Sequence, residues 1–83
     1  MTSINLTAYI SKSFKETNDA TVTAKNALNK LVKMKYNICV DDIPDSWDKA
    51  DALSDAEQCI LANNYSNAEM VLSDFLDQNG PFF

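Results

Sequence analysis

The stretch DDIPDSWDKADALSD, residues 41–55, places six aspartates in fifteen positions, interrupted by one lysine. Carboxylates at that density suggest either cation binding or a strongly charged surface. A calcium loop needs alternating oxygen ligands, a glycine for its sharp turn and a distal glutamate. Here Asp41, Asp42, Asp45 and Asp48 do not alternate, no glycine is present and Pro44 lies inside the run. No metal site is expected, and no cofactor.

Other chemistry is limited by what the chain lacks. Its 83 residues include no histidine, and all seven basic residues are lysine. The commonest general base and the commonest zinc ligand are therefore missing. Without arginine there is no planar fork for a phosphate or carboxylate. No nucleophile sits in a recognisable motif, so the chain is read as non-enzymatic. Asp45-Ser46-Trp47 resembles the Asp-Ser-Leu motif that holds the carrier serine of acyl carrier proteins at a helix start. It lacks the preceding glycine and carries Trp in place of Leu. A hydroxyl or carboxylate that caps a helix explains the pair more simply.

The elements that must hold these residues are helical. One Gly and two Pro leave few breakers, and 46% of residues are apolar. Residues 3–16 form a first helix with Leu6, Ile10 and Phe14 on one stripe, Tyr9 beside it, and Thr2 or Ser3 as cap. Residues 19–36 form a second, capped by Thr17 or Asn18 with Asp19 favourable near the positive end of the dipole. Its seam runs through Ala20, Ala24, Ala27, Leu31, Met34 and Ile38 at 4-3-4-3-4 spacing, small residues first and large ones last. YNICVDDIPDS (36–46) breaks the pattern and reads as an extended connector. Residues 46–62 form a third helix behind Asp45 or Ser46, with Ala52, Leu53, Ala56, Cys59 and Ile60 inward. Residues 65–78 form a fourth, with Tyr65, Ala68, Leu72, Phe75 and Leu76 inward, ended by Asn79-Gly80-Pro81. The fold class is all-α: one domain over residues 1–83, a small antiparallel bundle of three to four helices.

The segment from Ala56 to Pro81 resembles a single tetratricopeptide-like hairpin. Asn64-Tyr65-Ser66-Asn67-Ala68 is similar to the repeat's turn between helices, and Ala56 stands at its small-residue position. Phe75 stands where the repeat commonly has Ala, and no second repeat follows. The resemblance implies an antiparallel helical pair and a protein-binding role.

Charge is divided along the chain. Residues 1–40 hold six lysines against two acids (+4); residues 41–83 hold one lysine against ten acids (−9); the total is −5. That sign disfavours direct nucleic-acid binding and anionic membrane surfaces. No apolar run is long enough to span a bilayer. The start MTSINLTAYISKSFKE lacks a basic beginning followed by an apolar run, so no signal peptide is expected and a cytoplasmic location is. Cys39 and Cys59 are read as reduced, mostly buried thiols. The Lys-only, Asn-rich composition suits an AT-rich coding sequence, as in many phages and some bacteria.

On the third helix Asp48, Asp51 and Asp55 project within about 60° of one another. Asp45 extends that charge into the preceding loop, and Trp47 sits among the aspartates. These five residues form the candidate partner-binding site. The expected function is a protein-interaction module, such as a small inhibitor, adaptor or antagonist, that docks on another protein's basic patch. A nucleic-acid mimic is the first alternative. A homodimer through Ala24, Ala27, Leu31 and Met34 is the second. The terminal Phe82-Phe83 pair either folds back or engages a partner.

Overall fold

The computed structural model describes residues 6–79, and among these there is no strand. Four helices follow in order: α1 Leu6–Thr17, α2 Ala20–Tyr36, α3 Trp47–Leu61 and α4 Tyr65–Asn79. One 3₁₀ turn, Val40–Asp42, lies between α2 and α3. Each helix packs on the next and α1 closes the ring against α4, giving a flattened body of 33 × 32 × 18 Å. The links at residues 18–19 and 62–64 are too short for anything but reversal, so α1/α2 and α3/α4 are antiparallel hairpins.

α2 is the hub, touching the other three helices and the 3₁₀ turn. Its buried face is Ala20, Ala24, Ala27, Leu28, Leu31 and Val32. Leu6 and Ile10 come to it from α1, Ala52, Ala56 and Ile60 from α3, and Ala68, Leu72, Phe75 and Leu76 from α4. Six of these core positions are alanine, which brings helix backbones close and lets a short chain fill its interior. Fully burying a leucine-sized side chain contributes roughly 1.5–3 kcal/mol. Met34 is 47% exposed, and Ile38 lies past the end of α2 yet still packs, partly buried, against the core, so the seam is interrupted at Met34. The dimer expected through Ala24, Ala27, Leu31 and Met34 is corrected accordingly. The first three are at most 7% exposed, spent inside the chain, and only Met34 presents surface.

The helix ends differ from expectation at one cap. Asp19, not Thr17 or Asn18, caps α2: its carboxylate accepts from the Val22 N–H at 3.2 Å. Thr17 is still the last residue of α1. Asn18 has φ 51°, the left-handed conformation that ends α1, with its N–H on the Phe14 carbonyl at 2.7 Å. A residue in that conformation cannot supply the extended backbone of an N-cap. Beneath this corner the fully buried Thr23 hydroxyl donates to the Asp19 carbonyl at 2.8 Å, and Thr17 donates to the Ser13 carbonyl at 2.9 Å. Ser46 caps α3, accepting from the Lys49 N–H at 3.1 Å. The expected caps Thr2 and Ser3, the stop at Gly80-Pro81 and the Phe82-Phe83 pair lie outside the described residues.

The connector is not extended throughout. Asp42 accepts from the Cys39 N–H (2.9 Å), and Asn29 of α2 accepts from the Val40 N–H (2.9 Å). These two bonds fold the 3₁₀ turn and pin it to α2, with Val40 and Ile43 buried beneath. Cys39, read as a mostly buried thiol, is exposed; Cys59 is partly buried, and the two are not joined.

All three interhelix links place an asparagine in the left-handed region: Asn18 (φ 51°), Asn37 (57°) and Asn63 (60°). The single glycine is Gly80, so asparagine, the next most tolerant residue there, does glycine's work. At Asn63 the closure is a Schellman motif: the Asn64 N–H reaches the Cys59 carbonyl (2.8 Å) and the Asn63 N–H the Ile60 carbonyl (3.0 Å). Asn37→Val is therefore expected to cost about 1–2 kcal/mol, because a β-branched residue resists this conformation. Asn37→Gly should stay within about 0.5 kcal/mol of wild type. Urea unfolding at unchanged m reads both, and equal midpoints for the two variants would remove the left-handed constraint as the reason for asparagine here.

Candidate functional site

α3 has one face in the core and another turned toward the cleft it shares with α4. Ala52, Ala56 and Ile60 lie inward. By the 100° advance per residue, Asp48, Asp51 and Asp55 fall to the side of that stripe, and Trp47 falls opposite it. The structure brings the three aspartates to one groove of about 280 Å³. Its α3 wall is Asp48, Asp51 and Asp55, with Ala52 below; α4 contributes Val71, Asp74, Phe75, Gln78 and Asn79. Phe75 and Ala52 are nearly buried and Val71 half-buried, so the floor is a narrow apolar strip between charged rims.

Asp74 is the residue that sequence reasoning missed. Its signal was present only in the hairpin geometry. A three-residue link sets α4 antiparallel to α3, which places positions 71–79 opposite positions 55–48. Helical period then turns Asp74, three residues after Val71 and one before Phe75, onto the groove's outer lip.

Asp45 does not belong to the strip. Its carboxylate takes the Lys49 ammonium at 3.2 Å, and the same ammonium donates to the Ile43 carbonyl at 3.0 Å. The Lys49 side chain is only 13% exposed, because its stem lies against the loop that it closes. The one cation of the acidic half thus holds the connector and leaves the strip uncompensated. The remaining ion pairs among the described residues, Lys25–Asp41 (3.7 Å) and Lys35–Asp77 (3.4 Å), also use other acids. Among the described residues Asp48, Asp51, Asp55 and Asp74 have no ion pair and no side-chain hydrogen bond. Asp48 alone has local support, from the positive end of α3.

Trp47 is the first residue of α3 and is 86% exposed. It does not pack on the connector. It stands at the N-terminal end of the acidic strip, outside the groove proper, as an uncovered aromatic beside charge. Met70 (58%) and Leu61 (55%) are also uncovered, on α4 and at the end of α3.

A second groove lies between α1 and α2, about 260 Å³, lined by Tyr9, Lys12, Ser13, Glu16, Thr17 and Asn26. Its charges are mixed, and Lys30 sits 5.4 Å over the Tyr9 ring. Among the described residues no three carboxylate or thiol side chains are arranged to hold a metal ion. The α3–α4 groove can attract cations and cover an apolar group.

Carboxylates crowded at i, i+3 and i+7 repel one another. Asp51→Asn and Asp55→Asn should each therefore leave the fold intact and raise Tm, by about 1–3 °C for a domain of this size. Thermal melts at low salt measure it, and a fall in Tm would mean the strip carries a structural role instead. Comparison with family models, with curated proteins and with solved structures finds no match to this chain.

Proposed function

We propose that this chain is a non-enzymatic interaction module, a small acidic inhibitor, adaptor or antagonist acting in the cytoplasm, that docks on a basic surface of another protein. One observation carries the proposal: four carboxylates without cations rim a single groove, next to a tryptophan that is 86% exposed. A folded chain that only needed solubility could distribute its charge and bury its tryptophan. Carboxylates concentrated on one side raise the rate of encounter with a cationic partner. An aromatic beside them supplies the kind of anchor on which binding energy concentrates. The resemblance of Ala56–Pro81 to a tetratricopeptide-like hairpin points the same way, since such hairpins serve protein recognition.

The mimicry of nucleic acid is less well supported by the charge pattern. The four unpaired carboxylates that rim the groove lie on α3 and α4, while six lysines lie on α1 and α2. A phosphate backbone has no such cationic side.

The test is affinity capture from the cell that makes the protein, comparing wild type with a Trp47→Ala, Asp48→Lys, Asp51→Lys variant. The variant is expected to lose the partner that wild type retrieves. With the purified partner, the aspartate changes should slow association about tenfold at low salt, an effect that fades as salt rises. Trp47→Ala should act on dissociation and weaken binding about tenfold or more. Equal retrieval of the same proteins by both forms would show that this side of the molecule is not the interface. Displacement of the partner by duplex DNA or RNA would favour the mimic.

A further inference from the structure

Resting on that reading of the α3–α4 groove, we infer that the partner presents a single basic amphipathic α-helix to it, rather than an extended segment or a flat basic face. The groove is acidic on both walls, with Asp48, Asp51 and Asp55 on α3 and Asp74 on α4, and its floor of Val71 and Phe75 is apolar. A complementary occupant must send an apolar ridge downward and cations to both sides at once. A helix projects side chains at 100° intervals and can do this with three adjacent rows. A strand projects them to two opposite faces only, so it can satisfy the floor or one wall, but not the floor and both walls.

Spacing agrees. At 1.5 Å per residue the three α3 carboxylates lie about 4.5 and 6 Å apart along the axis. A helix with lysines at i, i+3 and i+7 repeats those intervals. Same-face residues of a strand recur at about 6.7 Å and drift out of step. A flat basic surface meets the rims but leaves the floor uncovered. Trp47 lies at the N-terminal end of the α3 wall, outside the groove and exposed.

The experiment uses the full chain and synthetic peptides of about 15 residues, too short to be stably helical alone in water. One carries lysine and leucine in a helical pattern, with leucines on one ridge and lysines on both flanks. An isomer of identical composition alternates them at period two, and a third is the helical pattern with a central proline. Hexalysine is the unpatterned control. Titrations follow the fluorescence of Trp47, the chain's single tryptophan, with calorimetry as a second readout. The helical-pattern peptide is expected to bind at least tenfold tighter than the isomer or the proline form. An Asp51→Lys, Asp55→Lys double variant should lose at least tenfold toward it, and an Asp74→Asn variant about threefold. Circular dichroism of each variant confirms that the helices remain, and Asp74→Asn, which only removes a charge, keeps the test valid should the double variant unfold. Equal binding of the helical peptide, its isomer and the proline form would overturn the helix. If that binding were still lost in the double variant, the acidic docking strip would stand without it. If neither these peptides nor hexalysine showed any binding that depended on the four aspartates, the docking strip would fall as well.

Discussion

The structure depends on the burial of one face of α2. Ala20, Ala24, Ala27, Leu28, Leu31 and Val32 lie within the ring of the other helices, and among the described residues no other element touches as many. The small residues set how closely α1, α3 and α4 can approach, and the large ones fill what remains. Once that face is enclosed, each other helix has a fixed inner stripe, and its outer rows are free of packing duty. The acidic rows of α3 and α4 are such rows. Their charge is compatible with the fold because no core position is surrendered to hold it.

The distribution of lysine then decides what those rows can do. In a chain with net charge −5, few cations are available, and four of the seven lysines are engaged elsewhere. Lys25 and Lys35 face acids of the connector and of α4, Lys30 lies over an aromatic ring, and Lys49 is drawn under the 40s loop. Lys49 is the instructive case. At i+1 from Asp48 it could have neutralised the strip, but the α-helical advance turns it away, toward the Ile43 carbonyl and Asp45. The same lysine that makes the connector a defined structure leaves four carboxylates around one groove without an ion pair among the described residues.

Much of the fold was legible in the sequence, because helical periodicity reports burial directly. The four helices and most of their inner stripes follow from spacing, and capping chemistry narrows the α3 cap to Asp45 or Ser46, of which the structure uses Ser46. What was not legible belongs to tertiary geometry. The choice of Asp19 over Thr17 or Asn18 depends on Asn18 being left-handed, which no composition reveals. The 3₁₀ turn depends on Asn29 reaching Val40 across eleven positions. Met34 looked like core because it continued the seam, yet it is exposed while Tyr36, two residues on, still packs against the core. At the site, Asp48, Asp51 and Asp55 were visible as a face, whereas Asp74 required the hairpin register and Asp45 was lost to Lys49.

The three left-handed asparagines complete the physical account of composition. Nine asparagines in 83 residues invite explanation by coding bias alone. Yet three of them occupy the three interhelix links, each at a φ that most residues resist, in a chain whose single glycine lies beyond α4. A fourth, Asn29, holds the 3₁₀ turn, and a fifth, Asn79, donates to the Phe75 carbonyl in the last turn of α4 at 3.0 Å. Coding bias can supply asparagine, but it cannot place it where backbone geometry needs it. The turns are therefore specified as firmly as the core, and that rigidity has a consequence for the groove. A site built from side chains on two helices is only as precise as the link that sets their register, and for α3 and α4 that link is the Schellman closure at Asn63. The residue that ends α3 thus helps to fix the distance across which the Asp51 and Asp74 walls face each other.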